Sequence, residues 1–445
     1  MEEWRLIADM IVRAALDAAD AGNAVRRAWT PLPDAPLLVL SIGKASIEMA
    51  RAAEVLLGRR EFEGIVTAIP ERMGAAGMAP CADSAAVASG PALAPRWRVF
   101  PCDHPLPTPR NIEAAAFIES RVRDFSASHR GRAQLVMLIS GGGSAHLTLP
   151  DNTIPLGEYV ELQRRLMRAG ATIQELNAVR KHVERLKGGR LAELAQGLGI
   201  RVMLISDVIG DPLDVIASGP LAPDPTTFAD AIGVLERHAQ RSSCPAIEAL
   251  LARGARGELH DTPKPGDAVF RNVEAQVIAS NACAVDAVAA AMQSHFNEVR
   301  HQTSLTGEAK DVAGQLVDEL AKAQTATRTP TCLVWGGEPT VSVGNSGGRG
   351  GPSQEIALAA AIELERRHMD NACVIAFSTD GIDGPTSNAG GIGDAALCRE
   401  LRAHDPRAML AAHDSATALE LAARAIKTGP TGTNVNHIFV ACSSV

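Results

Sequence analysis

Residues 37–46, LLVLSIGKAS, and residues 134–145, QLVMLISGGGSA, decide how this chain folds. Each is a short apolar run that stops at glycine and then turns helical. A run of this length with no polar alternation reads as a strand buried on both faces. The glycine at its end lets the chain turn tightly. The pattern recurs at GIVTAI (64–69), RVFPC (98–102), IRVMLIS (200–206) and AQVIAS (275–280). Helical stretches such as 112–125 and 156–168 lie between them. Strand and helix in alternation imply a mainly parallel sheet with helices on both faces.

The later part of the chain repeats the alternation with strands of its own. They are TCLVWGG (331–337), TVSV (340–343), ACVIAFS (372–378) and HIFVAC (437–442), with a strong helix over 352–367. Between the two parts, RGARGELHDTPKPGD (253–267) is rich in glycine, proline and charge, which marks a boundary. We therefore expect two α/β domains, 1–260 and 261–445. The first twenty residues read as an amphipathic helix that the pattern assigns to neither.

The bulk composition excludes several classes. The chain has 445 residues, 46% apolar, 21% charged and 3% aromatic, which fits folded α/β layers built from small aliphatic side chains. A net charge of −8 argues against a nucleic-acid partner. No apolar run is long enough to span a bilayer, and the charged N-terminus does not read as a signal peptide. Eight scattered cysteines with no CxxC spacing, Cys81 among them, suit a reducing cytoplasmic setting. A homo-oligomer is compatible with all of this.

Chemistry-bearing residues gather at the strand ends, where open α/β sheets hold their ligands. Gly43 and Lys44 close the first strand. Ser140, Gly141, Gly142, Gly143 and Ser144 follow the 134–140 run; three glycines leave backbone N–H groups open to an anion, and Ser144 adds a hydroxyl. This is no Walker A loop, because Gly43-Lys44 lacks the earlier glycine and the following Ser or Thr. Asp207 ends the fifth strand, with Asp211 and Asp214 behind it; such carboxylates hold magnesium through water or take a proton from an attacking hydroxyl. Glu338 follows two glycines, Gly337 included, and Arg349 sits among glycines that leave its guanidinium open to bridge phosphate oxygens. Asp380 and Asp383 follow the 372–378 strand and, with Glu338, are the candidate metal ligands. Arg180, Lys181, Arg185, Lys187 and Arg190 form a basic cluster around Gly188-Gly189 that would suit an anion, or else a solvated helix face. Asn281 after the sixth strand, and Thr431 and Asn434 in the 428–437 loop, complete the candidate binding set.

These segments resemble the two-domain glycerate kinases that end in a MOFRL domain, some of which carry the label hydroxypyruvate reductase. The resemblance rests on SIGKAS, LISGGGSA, NAVRKH with LKGGRLA, SDVIGDPLDVIASGP, GGEPTV, GGRGGPSQEIALA, STDGIDGPT and TGPTGTNVN, in that order from near residue 40 almost to the end. It implies a larger Rossmann-like N-terminal domain, a smaller C-terminal α/β domain and an active-site cleft between them. It implies that ATP and D-glycerate give ADP and 2-phosphoglycerate with Mg²⁺, and that Lys44 and Arg349 are the basic residues of catalysis. Asp207 is our candidate for orienting or deprotonating the hydroxyl. His146, Asn388 and His437 depart from the family pattern.

Three other readings bear on the same residues. An NAD(P)H-dependent reductase needs strand, GxGxxG, then helix. The nearest match, Gly391-Ile392-Gly393, follows the turn-like TSNAG instead. A non-catalytic metabolite sensor would not need charge at so many strand ends. A kinase of a related hydroxy acid or sugar acid would use the same groups.

Overall fold

A computed structural model describes residues 2–70, 93–241, 243–344 and 347–444; Cys81 lies outside them. The chain divides into two compact units, one of Val25–Ile278 and one made of the residues up to Ala24 together with those from Ala279 onward.

The chain opens with α1 (Glu2–Ala19) and α2 (Ala21–Ala28). The first unit then runs β1 (Leu37–Ile42), α3 (Ser46–Leu57), β2 (Glu63–Ala68), β3 (Trp97–Pro101), α4 (Pro109–Ser128), β4 (Gln134–Ile139) and α5 (Gly143–His146). It continues through α6 (Leu156–Arg168), α7 (Ile173–Val183), α8 (Arg190–Leu194), β5 (Gly199–Ile205), α9 (Phe228–Arg237), α10 (Pro245–Ala255) and β6 (Val273–Ala279). The sheet order is β3-β2-β1-β4-β5-β6, the order of the Rossmann fold. The pairs from β3 through β5 are parallel. The central strands β1 and β4 are buried along almost their whole length, as their unbroken apolar runs require. One face packs Leu38, Leu40, Leu135 and Met137 against Ile118 and Val122 of α4. Helices α6, α7, α9 and α10 form a second core around Leu162, Val179, Val234 and Leu251.

The second unit holds α11 (Asn281–Met292), β7 (Glu298–Glu308), α12 (Ala309–Thr327), β8 (Thr331–Thr340), α13 (Pro352–Arg366) and β9 (Ala372–Ser378). After them come β10 (Gly390–Asp394), α14 (Ala395–Glu400), α15 (Pro406–Ala411), α16 (Ser415–Leu421), β11 (Ala425–Ile426) and β12 (His437–Ser443). Its sheet order is β11-β10-β9-β12-β8-β7. Only β7 and β8 pair in parallel; the rest is antiparallel. Helices α12 and α13 cover Leu333, Trp335, Val374 and Phe439.

Two boundaries differ from expectation. The first unit ends at Ile278, later than the expected residue 260, because β6 completes its sheet; the glycine- and proline-rich stretch at 253–267 is a loop inside that unit. Helix α1 belongs to the second unit: its stripe of Trp4, Ile7, Ile11 and Ala15 is buried and the helix packs on α11. Arg5 donates to the Ala423 carbonyl at 2.6 Å and Thr433 Oγ1 to that of Ala19 at 2.7 Å. The expected separate strand at 340–343 is also absent. Thr340 ends β8, and Ser342 instead donates to Glu308.

Among the described residues, no helix is long and apolar enough to cross a membrane. The cysteines there are free thiols, six of seven buried. Phe439 is fully buried in a strand between two others. Phe439→Ala is expected to destabilise the second unit by about 3–5 kcal/mol, read as a lowered midpoint in denaturant unfolding.

Candidate active site

In the first unit the site grows from the register of two strands. Leu37 lies opposite Gln134 and Ile42 opposite Ile139, so β1 and β4 end level and their turns leave the sheet side by side. Gly43 adopts φ +110°, and a Cβ there would lie 2.4 Å from the Ser140 carbonyl oxygen and 2.5 Å from its hydroxyl. No other residue fits without moving the neighbouring turn. Lys44 N–H donates to the Gly141 carbonyl at 2.9 Å, and Ala45 N–H to Ser140 Oγ at 3.0 Å. Ser140 therefore stitches the two turns together. This is the topological switch point of the sheet, where chain connections diverge and leave a crevice.

Gly141 and Gly142 face different groups. A Cβ on Gly141 would lie 2.4 Å from Asp207 Oδ2; one on Gly142 (φ +86°) would lie 3.1 Å from His104 Cδ2 and 3.2 Å from Lys44 Cγ. Gly43, Lys44, Ser140, Gly141, Gly142, Gly143, Ser144 and Asp207 are thus brought together. Ser144 Oγ shares a hydrogen bond with Ser218 Oγ at 2.9 Å, and Ser218 donates to Asn177. Ala217 and Ser218 both hold left-handed backbone, φ 52° and 61°, beside Gly143. Strain of this kind costs on the order of 1–3 kcal/mol per residue and concentrates where a site is being shaped.

The electrostatics follow from burial. The carboxyl of Asp207 is pushed above the usual range by desolvation, partly offset by its own backbone hydrogen bond and by Lys44. His104 is lowered to about 4 by partial burial and then by the Lys44 ammonium. His146 is lowered to about 4, chiefly by burial. Its Nδ1 meets Thr67, while Nε2 is buried with no hydrogen-bond partner. Motif spacing did not bring out His104; the only signal was a polar DHP tripeptide just past an edge strand.

The basic cluster is built differently from an open anion pocket. Lys187 is fully buried, with Nζ 2.6 Å from both oxygens of Glu184, and burial lowers it to about 8. Tyr159 also donates to Glu184. Lys181, equally buried, bonds Asp214 at 3.0 Å and Asp224 at 3.3 Å. Arg180 bonds Gln163, and Arg185 bonds Glu119 and Asn152. A cation this deep persists only with a partner, so these pairs brace the 177–189 segment behind Ser144 and Ser218. Asp214 is part of that brace.

In the second unit, Asp383 is wholly buried and accepts from Ser353 N–H at 3.1 Å and Gln354 N–H at 2.8 Å. It anchors the start of α13, and burial raises it to about 6. That employment sets it apart from an open metal ligand. Asp380 Oδ1 accepts from Ser378 and from Ile382 N–H. Thr431 joins it, its N–H bonding the Asp380 carbonyl and its hydroxyl that of Thr379. Asn434 Oδ1 turns the same loop by accepting from Asn436 N–H. Asn281 donates to the Val435 and His437 carbonyls, and Gly337 is glycine because a Cβ would lie 1.9 Å from the Leu305 carbonyl oxygen. Both therefore hold the β8 and β12 ends in place. Glu338 is exposed at the end of β8. Arg349 is exposed too, 3.2 Å from Glu420. His437 is lowered to about 4 by burial and meets Ser353 Oγ at 2.8 Å. Among the described residues, no three His, Cys, Asp or Glu side chains gather to hold a metal ion. The Gly391-Ile392-Gly393 stretch lies inside the antiparallel strand β10, which removes the turn a dinucleotide fingerprint requires.

Comparison with known proteins finds two families on separate stretches of the chain. A family described as a domain of unknown function (DUF4147) matches residues 7–252, and the MOFRL family matches residues 331–437. A glycerate 2-kinase of Pyrococcus horikoshii is 38% identical over 91% of this chain and 86% of its own. A protein of Agrobacterium vitis provisionally named hydroxypyruvate reductase is 34% identical over 98% of this chain and 93% of its own. The crystal structure of a glycerate kinase from Thermotoga maritima superposes with a TM-score of 0.84 at 32% identity, over 100% of both chains.

The depressed imidazole of His146 gives a pH test. Its pKa is about 4 folded and about 6.5 unfolded, so the unfolded chain binds more protons between those values. Stability is complete above pH 6.5 and falls as pH drops toward 4. His146→Gln is expected to flatten this acid loss by up to ~3 kcal/mol, measured by urea unfolding at pH 7 and at pH 4.

Proposed function

Because the chain belongs to the family of glycerate 2-kinases that carry a MOFRL domain, we propose that it transfers the terminal phosphoryl of ATP to the 2-hydroxyl of D-glycerate, giving ADP and 2-phosphoglycerate. The observation that carries this reading is 38% identity to a glycerate 2-kinase over 91% of this chain. The stitched glycine turns with Lys44 at the switch point support it.

Phosphoryl transfer asks little covalent chemistry of a protein; it asks for positioning and for charge placed where charge develops. We assign Lys44 to the oxygens of the transferred phosphoryl and the N–H groups of residues 141–144 to an anionic part of a substrate. Asp207, whose raised pKa brings it closer to a working base, orients the attacking hydroxyl and takes its proton. Arg349 is the second cation we assign to the phosphoryl; it must exchange Glu420 for that partner. Arg180 and Lys187 brace the binding segment through their own partners. Asn281, Gly337, Thr431 and Asn434 shape the loops beside Asp380.

Magnesium commonly binds through one or two carboxylates plus nucleotide phosphates and needs no protein cage. Asp380 and Glu338 fit that modest donor set, whereas Asp383 spends both oxygens on α13. When bound, the ion neutralises phosphate charge. The free thiols suit a cytoplasmic enzyme.

A coupled ADP-release assay over a panel of hydroxy acids tests the activity, with phosphorus NMR to distinguish 2- from 3-phosphoglycerate. Faster turnover of another hydroxy acid would move the substrate assignment. NADH oxidation with hydroxypyruvate and no ADP from glycerate would replace it with a reductase. Lys44→Ala and Arg349→Ala should each lower kcat by ~10² or more with an unchanged circular dichroism spectrum. Near wild-type turnover in either variant removes that residue from the mechanism.

A further inference from the structure

We propose that His104 is an acceptor-binding residue, its imidazole hydrogen-bonding a hydroxyl of the hydroxy acid beside Lys44; this rests on the kinase reading above. His104 lies in the segment between β3 and α4, and that segment is fixed by one buried carboxamide. Asp103 N–H donates to Asn111 Oδ1 at 3.1 Å, and Asn111 Nδ2 donates back to the Asp103 carbonyl at 2.9 Å. The same Nδ2 reaches the Ala145 carbonyl at 2.9 Å. Ala145 belongs to α5, the helix that the glycine turn opens. Asn111 is fully buried, so the tie between the two segments is shielded from water. Thr108, which caps α4, completes the frame through Asp103 and Asn111.

The frame delivers the ring of His104 to the same side of Gly142 as the Lys44 side chain, 3.1 Å and 3.2 Å respectively from where a Cβ would stand. The imidazole reaches solvent, and its nitrogens have no hydrogen-bond partner among the described residues. Partial burial, and then Lys44, keep it uncharged at neutral pH. An uncharged imidazole brings no net charge to a phosphate or carboxylate, a task that falls to Lys44. What it offers is one donor and one acceptor, and the group on a hydroxy acid that matches both is a hydroxyl. Two consecutive glycines thereby open onto three different chemistries: carboxylate at Asp207, ammonium at Lys44 and neutral imidazole at His104.

His104→Ala and His104→Asn test this with steady-state kinetics in both substrates. The alanine variant should raise KM for D-glycerate ~10-fold or more while KM for ATP stays within twofold, and asparagine should recover a large part of the loss. Because the ring makes no internal hydrogen bond, both variants should keep the wild-type melting temperature. An unchanged KM for D-glycerate, a parallel rise in both KM values, or an asparagine variant no better than alanine would each overturn the role. A wild-type protein that does not phosphorylate D-glycerate would instead overturn the kinase reading, and this proposal with it.

Discussion

The turn after β1 and the turn after β4 touch backbone to backbone, and that contact tolerates no side chain at Gly43. Much else in the first unit answers to it. Two parallel strands that end in register place two chain reversals at one level. The reversals pack only if one lacks a Cβ and the other supplies a hydroxyl, Ser140, to take up an N–H that would otherwise stay unpaired. Once they pack, Lys44 is fixed at its backbone, the next two glycines are fixed in turn, and Asp207 and His104 close in on the space a Cβ would fill. The candidate site owes its position to an absence of side-chain atoms at three glycines in two neighbouring turns: Gly43 after β1, and Gly141 and Gly142 after β4.

The second unit solves a similar packing problem by another route. In β10, Gly390 and Gly393 leave no room for a Cβ: one would lie 1.9 Å from the Ala376 carbonyl oxygen, the other 1.9 Å from that of Ala357 in α13. Helix α13 therefore lies almost on the sheet. Its first N–H groups point at the buried carboxylate of Asp383, a strong interaction with the positive end of the helix that holds the carboxylate in spite of the desolvation raising its pKa. Asn388 and Gln354 extend the same network to Glu420, the residue that meets Arg349. The environment of Arg349 is thus continuous with the helix start.

The sequence made some of this legible for plain reasons. Central strands such as β1, β4 and β9 are buried on both faces, so their apolar runs announce them. β7 is an edge strand exposed along most of its length, and EVRHQTSLTGE carries no alternation to read. β10 is four-fifths glycine and aspartate, a composition that strands usually avoid, and packing alone explains it. Among the candidate site residues, Lys44, the 140–144 turn and Asp207 stand out in the sequence because strand ends are where open α/β sheets bind ligands. His104 could not, since its place depends on Asn111 reaching across to Ala145. Lys187 was misjudged as an open cation because charge in a sequence carries no sign of depth; its partner Glu184 was only three residues away.

Helix α1 has a consequence for how the chain matures. It precedes the first unit in the chain, yet α11 and the segments around Ala423 and Thr433 that receive it are made after the whole of that unit. At a synthesis rate of ~5–20 residues per second, its Trp4, Ile7 and Ile11 stripe stays without its native cover for on the order of ten seconds or longer. During that interval the apolar stripe of α1 is open to water on the nascent chain.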